Sequence, residues 1–362
     1  MWESAVSAET GGRSSTSAEF RDWRVVLAVL FARYYGVMML ALVFGLGAAV
    51  SPVNLQTGQR VFLTWDTQQN ILFEYAEYGI LATGMTLVIL SAGIDLSVGS
   101  VLGLSATLVS IFLIQLGWDP VSAIALSLII AAAIGVVNGL MITGLRMQPF
   151  VATLAMMVAA RGAAKVVSGG VKVQPGLPGY ALTHDPGLFG AMTNPVFGGF
   201  LRPITVLFLA GILVMWLVVR FTRFGRYLYA IGGNEEAARL SGVRVSVVKI
   251  AAYALCAFMA GLAGISSAAR VTLGDPEAGF TYELDAIAAV VIGGTSLMGG
   301  RGSVLLTLVG TLFIGYASKI LSLLGWPEGQ RLIAKGAIIV VAMALQWVAT
   351  YAQRRALSGR AT

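Results

Sequence analysis

The chain has little of the chemistry that most enzymes use. Its 362 residues include one cysteine and one histidine. With Cys256 alone, an intrachain disulfide is excluded. Its place in an apolar run makes it a small packing residue. A metal centre or a Ser-His-Asp triad would have to be built on His184 alone, so both are close to excluded. Charge is scarce as well: 11% of residues, against roughly 25% in ordinary soluble domains. No GxxxxGK[ST] run occurs, so the chain lacks a phosphate-cradling P-loop. The Gly-rich turn from Gly293 to Ser303, GGTSLMGGRGS, follows no strand pattern and reads as a tight reversal between packed helices. The segment from Met1 to Asp22 lacks the early apolar core of a signal peptide and reads as a disordered tail.

What the chain has is apolar sequence, 57% of residues. Runs of about 20 such residues are membrane spans. Ten are expected, starting near Tyr35, Ile71, Val98, Val121, Phe150, Ile204, Val247, Asp285, Ser303 and Leu332. The first ends near Val50 and the last near Thr350. The fold class is therefore all-α and polytopic. The net charge of +7 lies beside these runs. With both termini cytoplasmic, most Lys and Arg fall on the inner side: Arg13 to Arg33, Arg146, Arg220 to Lys249, Arg301 and Arg354 to Arg360. That is the bias the positive-inside rule demands. It explains the basic charge without a nucleic-acid partner and leaves membrane lipid as the surrounding medium. The expected organisation is a tail over 1–34, a transmembrane domain over 35–350 with a cytoplasmic loop at 221–246, and a tail over 351–362.

Two loops stand out. One, at 168–203, faces outward and is rich in Gly, Pro and Asn. The other is basic, faces inward, and contains Asn234 to Leu240, NEEAARL. Asn234 is a helix cap, Glu235 and Glu236 occupy the first turn, Arg239 lies near the end, and Ser241-Gly242 stops the helix. A short helix displayed to the cytoplasm is expected.

Inside the apolar runs a few polar residues need an account. Asp95, in SAGIDLSVGS, is read as a cap for the helix entered at Leu96, with Ser97 sharing the role. The alternative for both is a place on a solute path. Glu74 and Glu77 read as hydrated near an outer end. Arg161 and Lys165, one turn apart, read as snorkelling. Lys319 is expected to be the most deeply placed, needing a partner or a water-filled path. The outer segment with Asp275, Glu277, Glu283 and Asp285 is acidic. It reads as a solvated loop or as a docking surface. Gly99-Ser100-Val101-Leu102 recurs as Gly302-Ser303-Val304-Leu305, a weak internal echo.

Several long stretches together resemble ribose-type sugar ABC transporter permeases. They are GMTLVILSAGIDLSVGSVLGLSA (Gly84 to Ala106), QPFVATLAMMVAARGAA (Gln148 to Ala164), and RFGRYLYAIGGNEEAARLSGVRV with YELDAIAAVVIGGTSLMGGRG between Arg223 and Gly302. The resemblance covers most of 72–348. It implies a multi-pass subunit of a bacterial inner-membrane importer that acts by alternating access. The implied partners are a second permease subunit, a cytoplasmic ABC ATPase that holds ATP and Mg, and a periplasmic sugar-binding protein. This chain is implied to bind no cofactor and to be no enzyme. The coupling helix of such permeases falls here on Gly233, Asn234, Glu235, Glu236, Ala237, Arg239, Leu240 and Gly242, with the turn near Gly300 beside it. The outer loop at 171–202 and the region before about residue 70 depart from the family pattern. Composition leaves open a permease of the same superfamily for branched-chain amino acids or another small solute, and an ion-coupled carrier centred on Lys319.

Overall fold

Backbone N–H and C=O groups in hydrocarbon must pair within the chain, so apolar runs of this length close into helices. The computed structural model describes residues 23–178, 181, 187–196 and 198–358 and is built in this way. In chain order the helices are α1 (Trp23–Val50), α2 (Trp65–Glu74), α3 (Ala76–Leu90), α4 (Val98–Ser110), α5 (Pro120–Thr143), α6 (Pro149–Ser168), α7 (Leu188–Thr193), α8 (Pro203–Phe221), α9 (Arg223–Gly233), α10 (Glu235–Leu240), α11 (Val245–Val271), α12 (Tyr282–Ile292), α13 (Val304–Leu323) and α14 (Glu328–Ser358). A π-helical turn, Ile111–Gln115, extends α4. Among the described residues there is no β-strand, only isolated bridges such as Val173 to Gly274. His184 and the Met1-to-Asp22 segment lie outside the described residues.

Six helical stretches are long and apolar enough to cross a membrane: Val98–Gln115, Pro120–Thr143, Pro149–Ser168, Pro203–Phe221, Val245–Val271 and Val304–Leu323. Two shorter apolar helices are Tyr34–Val50 and Ala76–Leu90. Four expected spans differ from their sequence reading. Helix α1 already begins at Trp23, well before Tyr35. The run from Ile71 is broken at Tyr75 (φ −97°, ψ 2°), which separates α2 from α3. The run from Asp285 is only the 11-residue α12, about 16 Å of helix and roughly half a bilayer core. The last helix continues past Thr350 to Ser358.

The centre of the bundle is α11, which packs on α3, α4 and α5. Small residues let the axes close up: a methyl group on Gly135 of α5 would meet the carbonyl oxygen of Tyr253 at 2.3 Å. With lipid as apolar as the side chains, such close packing, rather than hydrophobic exclusion, is what joins helices. Buried ion pairs and hydroxyls tie the rest. Glu77 of α3 pairs with Arg270 of α11 at 2.6 Å, Asp285 of α12 with Lys335 of α14 at 2.6 Å, and Thr86 meets Thr307 at 2.7 Å.

Candidate functional site

Two regions carry polar and charged groups that packing alone does not require. The first is at the end of the bundle where α9 and α10 lie. Asn234 is in an extended conformation and its side-chain oxygen accepts from the Ala237 N–H at 3.0 Å, an N-cap as the sequence predicts. Gly242, at φ +84°, ends the short helix that follows. Glu236 and Arg239 pair on its exposed face at 3.1 Å. Glu235 turns back instead and binds Lys249 of α11 at 2.6 Å, fastening α10 to the long helix behind it. Leu240 is 81% exposed. Beside α10 lies a cavity of about 750 Å³ lined by Arg146, Glu235, Arg239, Arg244 and Lys249, with four positive groups against one carboxylate.

The preceding helix, α9, was not foreseen. Its signal is present in Thr222, whose side chain caps Gly225, and in an amphipathic RFGRYLYAIGG. The end of α9 touches the Gly-rich turn. A methyl on Gly232 would lie 2.0 Å from the Leu90 carbonyl oxygen and 2.4 Å from the Gly300 nitrogen. The Gly300 N–H donates to that same Leu90 carbonyl at 3.0 Å. So the ends of α3 and α9 and the turn before α13 meet backbone to backbone, next to α10.

The second region lies inside the bundle. Two chain segments enter the bundle without helical structure: 91–97, before α4, and 272–281, before α12. The helices that follow start side by side: a methyl on Gly279 would lie 2.4 Å from the Gly99 carbonyl oxygen, and one on Gly99 only 2.3 Å from Glu283 Oε2. Arg161 of α6 clamps both. It donates to the carbonyls of Pro276 (2.6 Å), Ala278 (2.7 Å) and Gly99 (3.3 Å). Glu283 thus sits at the positive N-terminus of α4, where a carboxylate is favoured. A cavity of about 570 Å³ opens here, lined by Ser100, Met157, Arg161, Phe280, Thr281 and Glu283. Discontinuous helices with their ends at a shared cavity are the usual construction of a transporter's solute site.

Asp95 lies within the first break. Its Oδ1 accepts from the Ser97 N–H (2.9 Å) and hydroxyl (2.6 Å), and Asn138 Nδ2 donates to the Ser97 hydroxyl (2.9 Å). The helix starts at Val98 rather than Leu96, and Ser97, at the N-cap, makes no side-chain cap. Asp95 therefore shapes the turn ahead of the helix. Both residues are fully buried and neither lines the cavity beside Arg161. Lys319, expected to need a partner or a water-filled path, has a carboxylate nearby. It lies near the end of α13, 3.9 Å from Glu74. Glu77, read as hydrated, is fully buried against Arg270. Arg161 does not snorkel; it spends its donors on the two breaks.

The acidic outer segment is balanced in place. Lys165 binds Glu277 at 2.6 Å, Lys172 binds Asp275 at 2.9 Å, and Lys335 holds Asp285. Hydrogen bonding to Asp275 keeps the Lys172 ammonium above its ordinary pKa.

A helical bundle in which two irregular segments meet at a cavity beside a half-buried arginine, with a short charged helix at one end, defines a multi-pass membrane permease. The chain belongs to the family described as the permease component of the branched-chain amino acid transport system, whose family model matches residues 68–343. It is 43% identical over 287 residues to the ribose import permease protein RbsC of Escherichia coli K12, covering 78% of this chain and 86% of that one. It is 44% identical over 276 residues to the protein of the same name in Bacillus subtilis strain 168, covering 76% and 83%. The xylose transport system permease protein XylH of E. coli K12 is 33% identical over 356 residues, covering 82% and 90%. No solved structure matches.

Proposed function

We propose that the chain is the membrane-spanning subunit of an ATP-driven, binding-protein-dependent importer of a ribose-like monosaccharide. The observation that carries this is its identity of 43% with a ribose import permease across most of both chains. On this reading ten segments cross the bacterial inner membrane: the eight apolar stretches above, α12 with its non-helical lead, and α14. Both termini are cytoplasmic, and so is the end that carries α10. The basic residues of α9, α10 and the neighbouring cavity support that side assignment.

The mechanism is alternating access. ATP and Mg belong to a separate cytoplasmic ATPase, and this chain holds no cofactor. The residues from Gly233 to Gly242 are the contact with that ATPase. Leu240 is the apolar knob, and Glu236 and Arg239 are the charged rim. Glu235 transmits movement into α11 through Lys249. Motion of α10 reaches α3 and α13 through the backbone contacts at Gly232 and Gly300. The sugar passes the cavity beside Arg161, where Ser100, Thr281 and Glu283 offer hydroxyl and carboxylate partners. Asp95 and Ser97 hold the helix break that shapes this path. Lys319 with Glu74, and the segment with Asp275, Glu277 and Glu283, belong to the outer half, where a periplasmic sugar-binding protein docks. A second permease subunit completes the path. The family description favours a second reading, in which the solute is a branched-chain amino acid.

The test is a gentle-detergent pull-down of the tagged chain, followed by a sugar screen on the co-purified binding protein. An ATPase at about one copy per permease, or a double-domain ATPase at about half that, supports the importer. A chain that purifies alone and carries solute in vesicles without ATP overturns it.

A further inference from the structure

A third cavity, of about 410 Å³, lies where α8 ends, α9 passes and α13 begins. Its lining includes Arg220, Arg226, Trp216, Tyr229 and Ser303. Among the described residues neither arginine has a carboxylate within ion-pair distance. Two unpaired guanidinium groups at one cavity repel each other, an arrangement that an anion relieves. Ser303, the N-cap of the 20-residue α13, gives that helix no side-chain cap, so the N–H groups of Val304 and Leu305 are also available to an anion, while that of Leu306 donates to the Ser303 carbonyl. The Tyr229 hydroxyl donates to the Gly302 carbonyl at 2.8 Å and fixes one wall. Arg220 lines the same cavity as Tyr229.

The surroundings say where the anion comes from. Above the cavity α8 exposes Leu213, Val214 and Leu217, an apolar face suited to acyl chains. At its foot Trp216 and Phe221 form an edge-to-face pair at 5.8 Å. Aromatic rings followed by arginines mark the level of phospholipid headgroups. We infer that this cavity is a binding site for the phosphate headgroup of an anionic phospholipid in the leaflet that faces α9. Arg220 and Arg226 hold the phosphate, and the chains lie along α8. Such a lipid would sit at the root of α9, one helix away from α10.

The full chain in neutral detergent would be titrated with palmitoyl-oleoyl phosphatidylglycerol and with phosphatidylcholine, and bound lipid counted by native mass spectrometry. The expected result is saturable binding of the glycerol lipid and little of the choline lipid. The double variant Arg220→Gln/Arg226→Gln should bind roughly twenty-fivefold more weakly, from about fivefold for each arginine. A control, Arg223→Gln/Arg301→Gln, removes the same charge from exposed positions outside the cavity lining and should change affinity much less. Equal weakening in the control would mean diffuse surface attraction and would overturn the site. So would displacement of the lipid by millimolar inorganic phosphate, which would assign the cavity to a free anion, or equal binding of both lipids. All four arginines are exposed, so their loss should leave the fold intact. A thermal melt matching the unsubstituted chain is part of the expected result.

Discussion

The Glu77–Arg270 pair makes an unequal prediction about its two halves. The Glu77 side chain is 0% exposed and the Arg270 side chain is 28% exposed. Arg270 donates at 2.6 Å and 3.4 Å to the two carboxylate oxygens. Replacing Arg270 with Met strands a carboxylate that no solvent reaches, which should destabilise by about 3–5 kcal/mol. Replacing Glu77 with Gln leaves a guanidinium that already touches solvent and an amide that can still accept a hydrogen bond, which should cost only about 1–3 kcal/mol. The double variant Glu77→Met/Arg270→Met removes both charges and should fall within about 1 kcal/mol of the original, since apolar replacement of a buried pair is often neutral. The assay is unfolding in mixed micelles followed by far-UV circular dichroism, with the three variants and the parent on one double-mutant cycle. The reasoning fails if Arg270→Met is as stable as the parent, if Glu77→Gln is the more damaging change, or if the double variant loses the sum of the singles.

Four other expectations follow from the proposed mechanism. Charge reversal by Glu235→Lys with Glu236→Lys sets two positive groups against Lys249 and Arg239 and should lower solute-stimulated ATPase activity of the assembled transporter about tenfold or more while the chain still folds; unchanged stimulation removes α10 from the coupling path. Leu240→Asp, at an exposed apolar side chain, should reduce co-purification of the ATPase without shifting the melting temperature of the isolated chain, whereas a lowered melt would make Leu240 a structural residue. Gly232→Ala forces a methyl onto the Leu90 carbonyl and should destabilise by about 1–3 kcal/mol, read in the same micelle unfolding; a neutral result would deny the backbone contact. Thr281→Cys should react with a charged maleimide in the assembled importer and be protected by the transported sugar, against a silent background from the buried Cys256; labelling that sugar does not slow would take the solute path away from this cavity.

Much of the bundle is legible in the sequence because length and hydropathy suffice for it. The spans begun at Val98, Val121, Phe150, Ile204, Val247 and Ser303 all appear within a few residues of their expected starts. The short loop helix was legible for a different reason: its cap, its acidic first turn and its glycine stop are local signals, and Asn234 and Gly242 perform the parts their residue types suggest. Long-range pairing was not legible. Nothing near Glu77 names Arg270, which lies 193 positions away, and the acidic look of the 270–285 segment vanishes once Lys165, Lys172 and Lys335 arrive from distant parts of the chain. The echo of Gly99 to Leu102 in Gly302 to Leu305 misleads too. Gly99 lies in the first turn of α4, while Gly302, at φ +150°, closes the turn outside α13.

The half-length helix α12 shows why the candidate path itself was hidden. Hydropathy counts apolar residues, and the run from Asp285 to the Gly-rich turn counts as a short span. Its non-helical lead, 272–281, looks like a polar outer loop because its carbonyls would be intolerable in lipid. Arg161 makes it tolerable by taking the carbonyls of Pro276 and Ala278 as acceptors, and the same guanidinium reaches Gly99 in the other break. One arginine in an otherwise Ala- and Gly-rich stretch of α6 was the signal available in the sequence. A cation inside the bundle has to be solvated by something, and here the backbone carbonyls of the two irregular segments supply the acceptors. The same two segments leave helix N-termini at one cavity, so the residue that makes the irregular backbone stable also fixes the geometry of the proposed solute path.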